Sequence, residues 1–237
     1  MKIKIIIQRQ EDAQSQPYTQ SFLYEGSGAM TVADFLAELN TRDPLLTEDG
    51  KSAARVAYQT SCHEKKCGAC AMLVNGAPRL ACSVFLSETA QKNGTVSLAP
   101  LSRFPVVRDL ITDRAAAFAM LETMKVWLSR KDPEDKGWDR RLQYQAGQCL
   151  ACGCCLEVCP NYYPGAEFGG MAAMNPAVRV MNGTEGKHLK SLRRSYVKTV
   201  YDGCGKSLAC RDICPAGVNI EKLMTEANHD LRKSRAI

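Results

Sequence analysis

"CLACGCCLEVCP", residues 149–160, carries Cys149, Cys152, Cys154, Cys155 and Cys159, five thiols within twelve positions. The whole chain has 237 residues, 45% apolar and 24% charged, with twelve cysteines. A chain of that length buries a core without staples, so its cysteines are not the framework of a small disulfide scaffold. They also bunch. Cys62, Cys67, Cys70 and Cys82 form one group, the quoted stretch a second, and Cys204, Cys210 and Cys214 a third. Disulfide frameworks spread their cysteines, whereas metal sites gather them. No signal peptide is visible after "MKIKIIIQRQ", and no segment approaches the roughly 18 uninterrupted apolar residues of a membrane span. These features predict a reducing compartment in which thiolates survive as ligands.

Cys149, Cys152, Cys155 and Cys159-Pro160 keep the frame C-x2-C-x2-C-x3-C-P. In bacterial two-cluster ferredoxins that run gives three ligands to one cluster and lends the fourth to another, so a second run is required. "CGKSLACRDICP", residues 204–215, supplies it through Cys204, Cys210 and Cys214-Pro215, with Ser207 where the frame demands cysteine. Counting ligands then predicts a [4Fe–4S] site of Cys149, Cys152, Cys155 and Cys214. Cys159, Cys204 and Cys210 are left as three thiolates for a [3Fe–4S] cluster. The alternative is a serine alkoxide from Ser207 holding a fourth iron, though a hydroxyl is a poorer iron ligand than a thiolate. Cys154 is out of frame, which predicts packing or hydrogen bonding beside the cluster in place of ligation.

"SCHEKKCGACAMLVNGAPRLAC" sets Cys62, Cys67, Cys70 and Cys82 at C-x4-C-x2-C-x11-C. The first three with a distant fourth are the plant-type spacing of a [2Fe–2S] cluster. Structural zinc prefers paired C-x2-4-C knuckles, and the five-residue step from Cys62 to Cys67 departs from that, leaving zinc as a minor alternative. His63 reads as a solvated loop residue beside a complete ligand set. "GKS" at 205–207 lacks the earlier glycine of a phosphate loop, since Val200 stands there, and the sequons at Asn93 and Asn182 mean nothing in a chain that is not secreted.

The first hundred residues alternate strand and helix signals. "MKIKIII" and "YTQSFLYE" read as a hairpin, and "TVADFLAELN" as a Thr31-capped helix with Val32, Phe35, Leu36 and Leu39 on one face. "AMLV" and "PRLAC" flank an Asn75-Gly76-Ala77 turn, and "TVSLAPL" closes the region as a last strand. From about residue 103 the texture turns helical. Leu110, Phe118, Leu121, Met124 and Leu128 make one stripe, Val218, Leu223, Ala227 and Leu231 another, and residues 129–139 form a charged connector. The expected fold is α+β. A β-grasp [2Fe–2S] ferredoxin-like domain over residues 1–102 precedes an all-helical bacterial-ferredoxin-like domain over 103–237, with the boundary near Pro100 to Pro105. The net charge of +6 is mild. Lys187, Lys190, Arg193, Arg194 and Lys198, and again Arg232, Lys233 and Arg235, are solvated faces or meet an acidic partner or lipid headgroups.

Three cluster motifs in this order resemble the iron–sulfur subunit of the succinate dehydrogenase/fumarate reductase family, over essentially the whole chain and at all eleven ligand positions. The resemblance implies a flavoprotein subunit with covalent FAD that interconverts fumarate and succinate. It also implies a membrane anchor with quinone and, in many members, haem b. This subunit would then carry single electrons between the two, peripheral to the cytoplasmic side of a bacterial inner membrane, with no span of its own and no nucleic acid. Ubiquinone-using members carry tryptophans after the Cys-Pro of the second group and a histidine after the first cysteine of the third. Here Tyr162, Tyr163 and Gly205 stand there, which leans toward menaquinol and the fumarate-reducing direction. Asn228, beside His229, replaces a lysine that some relatives place near the quinone. Competing readings are the succinate-oxidising direction, an iron–sulfur subunit of another flavoprotein reductase, and a zinc-stabilised module that meets nucleic acid through its basic helix.

Overall fold

A computed structural model describes residues 1–90, 92–127 and 139–235 and divides the chain into two compact units, Met1–Asp113 and Arg114–Ile237. Leu128 and the charged connector up to residue 138 lie outside the described residues, as do the side chains of Arg232, Lys233 and Arg235.

In the first unit, β1 (Lys2–Arg9) buries Ile3, Ile5 and Ile7 and turns Lys4, Ile6 and Gln8 toward the other face, the two-residue period of a strand packed on one side. It pairs antiparallel with β2 (Tyr18–Glu25) in the register Lys2↔Glu25 to Arg9↔Tyr18. Thr31 accepts from the Asp34 N–H at 3.2 Å and so starts α1 (Val32–Leu39), whose Val32, Phe35, Leu36 and Leu39 are fully buried. Strands β3 (Ala71–Val74) and β4 (Ala77–Leu80), the short helix α2 (Leu86–Thr89) and β5 (Thr95–Ala99) complete a sheet of order β2-β1-β5-β3-β4. β5 runs parallel to β1 and antiparallel to β3. One helix laid on a mixed sheet is the expected α+β arrangement.

Residues 103–113 show strand where the sequence texture suggests helix. β6 (Val106–Arg108) and β7 (Ile111–Thr112) form a two-stranded ribbon whose turn residue, Asp109, is 1% exposed and left-handed at φ +46°. Asp109 accepts from Arg9 Nε at 2.9 Å and Nη2 at 3.2 Å, from the Gln10 N–H at 3.0 Å and from the Ala57 N–H at 2.8 Å. Arg9 also donates to the carbonyls of Ala54 and Arg55, both at 3.1 Å, and to Gln20. This clamp ties the ribbon to the sheet, so the first unit extends to Asp113, past the expected boundary. Leu110 is buried in this unit and belongs to no helical stripe.

The second unit is helical. It contains α3 (Ala115–Thr123), α4 (Arg140–Gly147), the single turn α5 (Cys154–Glu157), α6 (Gly170–Met181), α7 (Gly186–Tyr196) running into a π turn at Val197–Tyr201, α8 (Ala209–Ile213) and α9 (Ile220–Arg235). α6 is the hub, meeting α3, α4, α5, α7 and α9. Val218, Leu223, Ala227 and Leu231 all join its core, as their spacing predicts. The other stripe does not hold: α3 has no buried residue and Phe118 is 53% exposed, while Met124, just past its end, is buried. Alanine at residues 115–117 and 119 lets this helix form without a large face to bury.

Candidate metal centres

The first thiol group surrounds a loop with no regular structure. Cys70 leads into β3 and Cys82 follows β4, and the two-residue Asn75-Gly76 turn brings the ends of that hairpin together. Asn75 and Gly76 both have positive φ, +50° and +77°, as a tight hairpin turn requires. The Ala81 N–H then donates to the Cys70 carbonyl at 3.0 Å. Positive φ at His63, Lys65 and Gly68 curls the loop so that its amides point at sulfur. Glu64 and Lys66 N–H donate to Cys62 Sγ at 3.4 and 3.2 Å, Lys65 N–H to Cys82 Sγ at 3.3 Å, and Ala69 N–H to Cys67 Sγ at 3.5 Å. The Glu64 and Lys66 amides lower the Cys62 thiol to about 7, while burial pushes Cys70 up to about 12. Amides directed at sulfur stabilise the negative charge of thiolates. His63 is engaged elsewhere, with Nδ1 3.3 Å from Asp34 and Nε2 3.1 Å from Thr60.

In the helical unit the second and third groups line two openings. Cys149, Cys152, Cys155 and Cys214 border a cleft of about 380 Å³, part of it open to solvent. Ala151 and Gly153, at φ +49° and +89°, wrap the chain around it. Cys159, Cys204 and Cys210 border a larger cleft of about 650 Å³, also partly open, with Ser207 on its wall and Cys155 shared between the two. Each run thus sends its last cysteine to the other's cleft. The Asn161 side chain donates to the Gly203 carbonyl at 2.7 Å and holds the two runs against each other. Burial raises the Cys149, Cys155 and Cys210 thiols. Ser207 is exposed, between the left-handed Lys206 and Leu208. Tyr162 is buried, Tyr163 exposed, and Asn228 accepts from the Tyr196 hydroxyl at 3.1 Å.

Cys154 is fully buried, and its thiol donates to the Cys152 sulfur. That bond lowers Cys152 to about 7 and, with burial, raises the Cys154 thiol. Two further groups about the smaller cleft escape spacing rules. Arg114 Nη1 donates to the Cys152 carbonyl at 3.0 Å, its charge also favouring the Cys152 thiolate, and Asn175 of α6 donates to Cys149. The only trace of Asn175 in the sequence is a lone amide in an apolar helix, "MAAMNPAVRV".

Among the described residues no group of His, Cys, Asp or Glu forms a site for a single metal ion. The donor sets are thiols alone, around openings of about 380 and 650 Å³ or under a rim of loop amides. Thiolate ligands with amide support suit iron–sulfur clusters.

Comparison with known proteins gives the same chemistry. Residues 2–119 match the 2Fe-2S iron-sulfur cluster binding domain family. The succinate dehydrogenase iron-sulfur subunit of Bacillus subtilis is 32% identical over 96% of this chain and 92% of its own length. The fumarate reductase iron-sulfur subunit of Wolinella succinogenes is 27% identical over 93% and 92%. A chain of the Mycobacterium smegmatis Sdh1 complex in the apo form shares the fold, with TM-score 0.73 at 19% identity over 100% of this chain and 98% of that one. With a relative so alike along nearly its full length, the chain belongs to the iron–sulfur subunits of the succinate dehydrogenase and fumarate reductase family.

Proposed function

We propose that this subunit carries single electrons between a flavoprotein with covalent FAD, where fumarate and succinate interconvert, and a quinone-binding membrane anchor that carries haem b. Cys62, Cys67, Cys70 and Cys82 would hold a [2Fe–2S] cluster. Cys149, Cys152, Cys155 and Cys214 would hold [4Fe–4S], and Cys159, Cys204 and Cys210 [3Fe–4S]. Bound there, the clusters supply one-electron redox chemistry. The observation that carries the reading is the exchange of last cysteines between the two clefts, which leaves a complete thiol set on one and a serine on the other. The place proposed for the subunit is peripheral, on the cytoplasmic side of a bacterial inner membrane; among the described residues no helix is long and apolar enough to cross a membrane.

Tyr162, Tyr163 and Gly205, in the places of tryptophan and histidine, favour menaquinol as donor and fumarate reduction in anaerobic respiration. The succinate-oxidising direction is the second reading, favoured by the greater identity to the Bacillus subtilis relative than to the Wolinella succinogenes one, 32% against 27%. Potentiometric EPR on the anaerobically purified complex, with both directions assayed, tests these readings. The expected result is three distinct cluster signals and faster fumarate reduction than succinate oxidation with a low-potential quinone. Faster succinate oxidation overturns the direction. A copurifying flavoprotein inert toward both acids overturns the partner, and a colourless zinc protein overturns the clusters.

A further inference from the structure

Asn175 is the only polar residue among the buried positions of α6, which are otherwise Gly170, Met171, Ala173, Met174, Ala177, Val178 and Val180. It is 2% exposed, lines the smaller cleft, and its Oδ1 has no hydrogen-bond partner. A buried orphan acceptor destabilises the fold, and a leucine of similar size would avoid that cost among these neighbours. The amide nitrogen explains why the polar residue is tolerated: it donates to the Cys149 sulfur. Once Cys149 is a thiolate ligand of a cluster, turning the amide over would set a carbonyl oxygen against its charge, so cluster binding favours the orientation in which the amide donates.

We propose that Asn175 is a positioning residue of the cluster held by Cys149, Cys152, Cys155 and Cys214, and that its amide, acting through the Cys149 sulfur, raises the cluster's reduction potential. Reduction adds negative charge to the cluster and its thiolates. A donor to a ligating sulfur stabilises the reduced state more than the oxidised one, and hydrogen bonds to sulfur are among the terms that set these potentials. Arg114, at the Cys152 carbonyl, acts with the same sign from another side.

The inference rests on the [4Fe–4S] assignment, and the unmutated complex separates the two. Absence of a [4Fe–4S] signal there defeats the assignment and the inference with it. Given that signal, Asn175→Leu removes the donor and the orphan together. The expected result is a midpoint moved to more negative potential with iron content and the other two midpoints unchanged. Asn175→Asp, nearly isosteric, replaces the donor by an acceptor and moves the midpoint further the same way. A variant with full iron and an unmoved midpoint, whatever its thermal stability, overturns the proposal. Should neither variant load iron, 15N labelling of asparagine side-chain amides in the unmutated complex decides. A 15N hyperfine coupling to the reduced cluster supports the contact, and its absence overturns it.

Discussion

Ser207 stands between two left-handed residues on the wall of the larger cleft and presents a hydroxyl where the cysteine frame calls for a thiol. A neutral hydroxyl is a weak ligand for iron beside thiolates, so on the proposed assignment the fourth corner would go unheld. Ser207→Cys supplies the missing ligand without lengthening the side chain beyond one larger atom. Its expected outcome is conversion toward [4Fe–4S], seen as loss of the oxidised three-iron EPR signal; an undiminished signal contradicts it. Cys154 presents the opposite case, a fully buried thiol inside the run but out of its frame, hydrogen-bonded to Cys152. Cys154→Ala is expected to leave all three clusters assembled, at a stability cost of about 1 kcal/mol for the lost hydrogen bond. Loss of the [4Fe–4S] signal in that variant would make Cys154 a ligand after all.

The β6–β7 ribbon depends on one carboxylate. Asp109 takes two bonds from Arg9 and two from backbone amides, with both charged side chains 2% exposed. Breaking a buried pair leaves its partner charge uncompensated and costs about 3–5 kcal/mol. Asp109→Asn is therefore expected to lower the melting temperature of the first unit by more than about 10 °C, using roughly 4–8 °C per kcal/mol for a domain of this size. Calorimetry reads it directly, and a shift of only a degree or two would show that the clamp is not structural. No local signal in "FPVVRDLITD" announces the clamp, since its partner, Arg9, lies 100 residues away in β1. The sheet and α1 were legible because alternation, a Thr31 cap and Asn75-Gly76 are local signals. α3 misled because its apolar residues meet the helical core only in part, through Met120 and Leu121, and leave Phe118 exposed. The thiols bordering each opening lie at fixed spacings in the sequence, whereas Asn175 and Arg114 reach sulfur or its carbonyl only through tertiary packing.

Across the whole molecule the two units owe their order to different sources. The first has a continuous apolar core of Ile3, Ile5, Ile7, Phe35, Leu36, Val96 and Leu98 between sheet and helix. The second packs its helices around α6, yet carries openings of about 380 and 650 Å³ bordered by thiols. Burial disfavours the anionic form of Cys149, Cys155 and Cys210, so these thiols give up their protons only where a bound metal centre compensates the charge. Metal binding in such sites is coupled to folding. Removing iron anaerobically with a chelator is expected to unfold residues 114–235 selectively, with amide exchange in α5, α6 and α8 accelerating well before that in β1 and β5. Val218, Leu223 and Ala227 of the helical core should lose protection with them, because α9 packs on both α6 and α8. Equal acceleration in both units, or none in the helices, would show that the helical core stands without its clusters.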